Sequence, residues 1–219
     1  MDNLDLDLDF LSKKYYLDIN IHIGCHKYIH SGCHNYVPGY TSIFKDIRYD
    51  VKNLLAIGIG SIENGQVDGV VHPNYKTGNN LKCWSEYFPS SKIYGIDIFQ
   101  DNELNTDKIN TFVVDPSNEN ELQNFMDTID CSLNIIIDDN NHTAEHQVNC
   151  FTFLNKYLSE NGIYVIQDIQ PENINKFMDL SIFPLNYIEY IKENFNVIYF
   201  DTRKDYNRDD DFMVVFKKI

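Results

Sequence analysis

From Lys52 onward the apolar positions come in short continuous runs, each closed by glycine or an acid. Asn53–Ile59 leads into Gly58 and Gly60, and Ser91–Ile98 closes on Asp97. Ile109–Val114 precedes Asp115, Leu133–Ile137 precedes the pair Asp138 and Asp139, and Gly162–Ile166 precedes Gln167 and Asp168. Runs of this length without alternation predict strands buried on both faces, as in a parallel sheet. Helical stretches fit the gaps at Asn79–Phe88, Glu119–Asp127, Thr143–Leu158 and Tyr187–Asn194. Strands alternating with helices predict βαβ units. Near the end, Val197–Thr202 and Phe212–Lys218 are joined by Arg203–Asp211, too short for a helical crossover, so this pair is expected to be antiparallel. The predicted fold is α/β: a Rossmann-like doubly wound sheet, mostly parallel, ending in an antiparallel C-terminal hairpin.

Upstream the pattern changes. Met1–Phe10 alternates Asp with Leu4, Leu6, Leu8 and Phe10, a period of two that fits either an acidic tail or an edge strand docked on a neighbour. Residues 1–50 are therefore set apart as an N-terminal arm that contacts substrate or another subunit, and 51–219 as the α/β domain. A chain of 219 residues with 43% hydrophobic and 14% aromatic positions supports such a core.

Charge narrows the partners. The net charge of −15, from 18 Lys+Arg against 33 Asp+Glu, excludes a protein that tracks a nucleic-acid backbone or an anionic membrane surface. The chain lacks a signal peptide and an apolar run of spanning length, so a soluble cytoplasmic protein is expected. Cys25, Cys33, Cys83, Cys131 and Cys150 form no CxxC pair and are expected to be reduced thiols. Cys25, His26, His30, Cys33 and His34 cluster, but their spacing matches no familiar zinc finger and is taken as incidental.

Ligands of open α/β sheets bind at the C-terminal ends of the strands, where the glycines and acids of this chain collect. Gly58, Gly60 and Ser61 fit a tight turn that lets backbone approach a ligand closely. Asp97 offers two acceptor oxygens to vicinal ribose hydroxyls, and Asp115 stands where an adenine amino group would be met. Such acids also serve as plain helix caps. A nicotinamide dinucleotide is the competing ligand, but GxGxxG is incomplete and the antiparallel ending argues against it.

The densest chemistry lies in IIIDDNNHTAEH, where Asp138 and Asp139 follow a strand and His142 and His146 are four apart, on one face if helical. His142 is the candidate general base, since imidazole accepts a proton near neutral pH. His146 is expected to be a packing or supporting residue.

Three segments resemble the macrolide-sugar O-methyltransferases of the mycinamicin type: Asn53–Ser61 (NLLAIGIGS), Lys82–Ile98 (KCWSEYFPSSKIYGIDI) and Ile135–His142 (IIIDDNNH). That family reads LLEIGIGG, then W-x-x-(Y/F)-F-P before YGIDI, then DDGSH and YVIED. The likeness runs from about Cys33 to Ile169, and His34, Tyr36 and Tyr40 match its H-x-Y…Y segment near the active site. It implies a class I S-adenosylmethionine-dependent methyltransferase fold and an O-methylation of a sugar hydroxyl, on a nucleotide sugar, glycan or glycoside. It implies cofactor contacts at Gly58, Gly60, Ser61, Asp97, Ile98 and Asp115, with Asp138 near the methionine portion. It further implies magnesium held by Asp139, Gln167 and Asp168, substrate contacts from His34, Tyr36 and Tyr40, and a homo-oligomer. A divalent cation would orient a poorly acidic sugar hydroxyl and lower its pKa.

This chain departs from the family at three points. Ala56 replaces an acid before the glycine turn; Asn140–Asn141 replaces Gly-Ser, with asparagine expected to supply a left-handed turn; Gln167 replaces Glu and removes a charge from the metal site. A phenolic O-methyltransferase and a non-catalytic cofactor-binding scaffold remain the alternatives.

Overall fold

The computed structural model describes residues 7–19, 34–60, 74–99, 104–206 and 209–219. Along the chain the elements are helix α1 (Leu8–Lys14), α2 (Val37–Phe44), strand β1 (Asn53–Ile57), α3 (Asn79–Tyr87), β2 (Lys92–Asp97), β3 (Ile109–Val113), α4 (Glu119–Ile129), β4 (Leu133–Asp138), α5 (Ala144–Leu154), β5 (Leu158–Ile166), α6 (Ile174–Met178), α7 (Leu185–Asn194), β6 (Phe195–Asp201) and β7 (Phe212–Lys218). The strands form one seven-stranded sheet in the order β3-β2-β1-β4-β5-β7-β6. β1 pairs in parallel with β2 and β4, while β7 runs antiparallel between β5 and β6. The predicted hairpin therefore closes the sheet with its second strand on the inside.

Alternation along the central strands divides two cores. Leu55, Ile57, Tyr94, Ile96 and Ile136 face one side, where Phe151 of α5, Ile174, Phe177 and Ile191 pack. Leu54, Ala56, Ile93, Ile135 and Ile137 face the other, against Leu8, Tyr40, Phe44, Leu81 and Trp84. A central strand must be apolar at every position to bury both faces, which is why β1 and β4 carry no alternation.

Two N-terminal features differ from the expected pattern. Leu8–Lys14 is helical, not extended: the Asp7 side chain caps it by accepting from the Phe10 N–H, Leu8 and Leu11 are buried at i,i+3 spacing, and Phe10 points outward at 53% exposure. Leu8 and Phe10 thus do not share a face; Leu4 and Leu6 lie outside the described residues. α2 was not anticipated, because VPGYTSIF combines proline, glycine and β-branched residues of low helix propensity. Packing decides there: Tyr40 and Phe44 are fully buried, with Tyr40 edge-on to Trp84 at 5.2 Å.

Downstream, α5 ends at Leu154, and a short 3₁₀ turn (Asn155–Tyr157) leads into β5, which starts earlier than its apolar run. Cys83, Cys131 and Cys150 are free thiols; Cys25, His26, His30 and Cys33 lie outside the described residues. Among the described residues no helix is long and apolar enough to cross a membrane.

Candidate active site

The strand order reverses between β1 and β4, and the crevice at that switch point is where open α/β sheets bind ligands. Gly58 stands at its floor with φ +93°, and a Cβ there would lie 2.2 Å from the Asp139 carbonyl oxygen. The glycine is required by the approach of the β1 and β4 chain ends to each other, a different reason from the ligand approach expected. The Asp139 N–H also donates to the Ile57 carbonyl at 3.0 Å, tying the two ends. Gly60 has φ +64°, and a Cβ would meet the Tyr75 hydroxyl. Ser61 lies outside the described residues.

Asp97 closes β2, buried, and its two carboxylate oxygens accept from the Ile59 N–H at 2.9 Å and the Phe99 N–H at 3.3 Å. These two amides fix the carboxylate plane against the glycine turn. Ile98 follows at 49% exposure, an apolar side chain left open beside it. Asp115 accepts from the Ser117 N–H and hydroxyl at 2.9 and 2.6 Å, which holds its carboxyl below the usual range; Asn118, not Asp115, caps α4.

Beyond β4 and β5 three side chains converge. One ligand atom each from Asp139, His142 and Asp168 falls within 4.8 Å of the others. His142 Nε2 lies 3.6 Å from Asp168 Oδ2, and His142 Nδ1 is buried with no hydrogen-bond partner among the described residues. Burial, and then the charge of Asp168 and of Asp18, push the half-buried Asp139 carboxyl well above its ordinary value. Burial lifts Asp138 to about 7, against the hydroxyl of Tyr164, which donates to Asp138 Oδ2 at 3.2 Å. Two converging carboxylates, one of them pushed well up by burial, and an imidazole with a nitrogen left unpartnered among the described residues are donor chemistry that suits a divalent cation.

Both His142 (φ +57°) and Asp168 (φ +55°) hold left-handed backbone that non-glycine residues rarely adopt. Such strain persists only where the surroundings over-determine it, and it clusters at functional sites. It was expected at Asn140–Asn141, but neither adopts it. The idea that His142 and His146 share a helical face also fails, because α5 starts at Ala144 and His142 precedes it. His146 contacts the Asn141 side chain, and Asn141 accepts from the Thr143 N–H and hydroxyl, stiffening the loop that carries His142.

His34, Tyr36 and Tyr40 reach the same cluster but from within the core, at 4%, 1% and 0% exposure. The Tyr36 hydroxyl donates to Asp168 Oδ1 at 2.7 Å, and the Tyr40 hydroxyl donates to Gln167 Oε1. Both phenols are pushed well above their ordinary values, by burial first and then by Asp168 for Tyr36 and by Asp139 and Asp168 for Tyr40, so both remain protonated donors. The geometry gives His34 and Tyr36 the Asp168 carboxylate to hold and Tyr40 the Gln167 amide. Gln147, which the sequence did not single out, pins the same turn by donating to the Gln167 carbonyl at 2.9 Å. Asp211 and Asp18 were also missed; Asp211 ends a polar loop and Asp18 sits singly among apolar residues, neither within a motif, and only the folded chain brings them to the cluster.

The sheet order, the antiparallel β7 and the acids at the strand ends define the class I methyltransferase fold. MycE methyltransferase from the mycinamycin pathway, solved in complex with Mg and SAH, is similar over 97% of this chain and 54% of that one, with TM-score 0.69 and 21% identity. A Streptococcus thermophilus rRNA methylase has TM-score 0.54 at 12% identity over 83% of this chain and 95% of that one. By sequence the chain is similar to the mycinamicin VI 2''-O-methyltransferase of Micromonospora griseorubida, 31% identical over 135 residues, or 60% of this chain and 31% of the relative. It is likewise similar to the 8-demethyl-8-(2-methoxy-alpha-L-rhamnosyl)-tetracenomycin-C 3'-O-methyltransferase of Streptomyces olivaceus, 30% identical over 132 residues, again 60% of this chain and 31% of the relative. The chain thus spans about a third of the length of these curated relatives. No family model matches it.

Proposed function

We propose that this chain is a metal-assisted, S-adenosylmethionine-dependent O-methyltransferase that methylates a hydroxyl of a sugar. The observation that carries this is the convergence of Asp139, His142 and Asp168 within 4.8 Å at the switch-point crevice. The similarity to O-methyltransferases of glycosylated natural products supports the sugar as acceptor class, as a glycoside, a glycan or a nucleotide sugar. Homo-oligomeric assembly and a soluble, cytoplasmic setting belong to the same proposal.

When bound, the cofactor supplies an electrophilic methyl group and the divalent cation supplies Lewis acidity toward the acceptor hydroxyl. Asp97 accepts the ribose hydroxyls in the plane set by the Ile59 and Phe99 amides. Ile98 offers its exposed face to the adenine, with Asp115 at the adenine's edge. Gly58 and Gly60 line the turn beneath, and Ser61 is assigned to the cofactor from its sequence motif alone. Asp138, lifted to about 7 by burial despite the Tyr164 hydrogen bond, is suited to the ammonium of the methionine portion, whose charge would favour the ionised form. Asp139 and Asp168 would hold the cation with the neutral oxygen of Gln167, which accepts from the Tyr40 hydroxyl. His142 takes the hydroxyl proton at Nε2, the nitrogen that faces the cluster.

The test is calorimetric titration of the chelator-treated protein with S-adenosylhomocysteine, with and without magnesium. Micromolar binding that tightens with magnesium is expected; absence of binding under both conditions would sink the proposal.

A further inference from the structure

We propose that Asp211 and His34 act as a positioning pair that makes Asp168 a one-oxygen metal ligand, turning Oδ2 toward the site. The inference rests on the metal-dependent function proposed above and concerns how this chain holds one of its ligands.

Asp168 follows β5 in a left-handed conformation, so its side-chain direction depends on what grips it. Both grips fall on Oδ1: the Tyr36 hydroxyl at 2.7 Å and His34 Nδ1 at 3.1 Å. The Tyr36 hydroxyl, in turn, is 3.3 Å from the Asp168 N–H, so the residue is held by side chain and backbone together. Oδ2 is left to face His142 Nε2 at 3.6 Å, within the trio that Asp139 completes.

His34 is aimed by two contacts. Its ring stacks on Tyr36 with centroids 4.9 Å apart and planes 9° from parallel. Its Nδ1 lies 2.6 Å from Asp211 Oδ1, so this one nitrogen faces two carboxylate oxygens and must carry a proton to donate to them. Asp211, which immediately precedes β7, is fully buried, and Oδ2 has no hydrogen-bond partner among the described residues. A buried carboxylate half-satisfied in this way is costly, and packing alone gives no reason for it. Its reach is toward His34, and through His34 to Asp168. Carboxylate–imidazole support of a metal ligand fixes ligand orientation, and its loss weakens metal binding by about 10–100-fold. With Gln167 where a carboxylate is expected, Asp139 and Asp168 are the anionic ligands, so the aim of Asp168 bears directly on affinity.

The experiment measures Mn²⁺ affinity by calorimetry on the chelator-treated chain. Asp211→Asn keeps size and the oxygen toward His34 but removes the charge, and His34→Ala removes the link. Both are expected to weaken Mn²⁺ by about 10–100-fold. His34→Asn, whose amide nitrogen can occupy the Nδ1 position, is expected to restore most of the affinity, a recovery that a purely packing role for the ring would not produce. S-adenosylhomocysteine affinity without metal is expected to change less than about twofold in folded variants, since neither side chain is assigned to the cofactor. Unchanged Mn²⁺ affinity in Asp211→Asn and His34→Ala, with binding abolished in Asp168→Asn, would overturn the positioning role while leaving the metal site intact. If the unaltered chain binds no Mn²⁺, the metal-dependent function falls and this inference with it. Should Asp211→Asn fail to fold, the two His34 variants carry the test: Mn²⁺ affinity undiminished in His34→Ala, or no better in His34→Asn than in His34→Ala, would overturn the proposal.

Discussion

His142 sits where two roles meet: its Nε2 faces Asp168 at 3.6 Å, and the residue belongs to the trio that could hold a metal. The roles separate in one variant. As a general base, His142→Ala is expected to lower kcat for sugar methylation by about 10²–10⁴-fold while Mn²⁺ affinity holds. As a ligand it would cost metal affinity first. Steady-state rates and metal titration on the same preparation distinguish the two, and full turnover in the variant ends the base assignment. The strand-end acids were legible in the sequence because each closes an apolar run, and a residue just past a parallel strand has nowhere to point but the crevice. His34, Tyr36 and Tyr40 were legible as near the site, but not their burial. That depends on α2 pressing Tyr40 and Phe44 against Trp84, a tertiary contact the local sequence does not announce. The left-handed turn was placed at Asn140–Asn141 on propensity, yet it falls on His142 because Asn141 is occupied in holding Thr143.

At the scale of elements, the long apolar runs fixed β1 to β5 within a few residues, whereas the N-terminal alternation misled. Three turns of aspartate and leucine fit a strand by period, but Asp7 can cap and Lys13 can pair with Asp9 four residues away, so a helix wins locally. α1 is then fastened to α3: Lys14 Nζ donates to both oxygens of Glu86 at 2.7 Å, and the Tyr15 hydroxyl donates to the same carboxylate at 2.5 Å. Partial burial pushes the Glu86 carboxyl up, but the Lys14 and Tyr15 hydrogen bonds outweigh it and the net shift is downward. A carboxyl depressed in the folded state contributes stability above its unfolded pKa and loses it as pH falls through the folded value. Glu86→Gln is therefore expected to lower stability near neutrality by less than about 1 kcal/mol, since the pair is largely solvated. The gap between variant and parent should close as the medium is acidified through the carboxylate range. Chemical denaturation at several pH values measures it, and a gap that widens in acid would show the tie to be misassigned.

The whole molecule carries a net charge of −15, and its sheet gathers Asp97, Asp138, Asp139, Asp168 and the buried Asp211 toward one end. That concentration disfavours the compact state unless cations offset it, and two kinds of cation effect can be told apart. Monovalent salt screens all charges and is expected to raise the thermal midpoint slightly and without saturation. Magnesium at the Asp139–Asp168 cluster binds the folded chain and not the unfolded one, so its effect saturates. At about 100 times its dissociation constant it adds about 2.7 kcal/mol, or about 5–10 °C for a chain of this size. Thermal unfolding in magnesium chloride against sodium chloride of equal ionic strength isolates this difference, and Asp168→Asn is expected to abolish it while keeping the monovalent response. Equal midpoints in the two salts would mean that the clustered acids are a property of the fold's charge alone. The saturating rise would tie the same acids to a bound ion, and so to a feature that an acidic surface by itself does not explain: why the Asp139 and Asp168 carboxylates converge with an imidazole whose buried Nδ1 has no hydrogen-bond partner among the described residues.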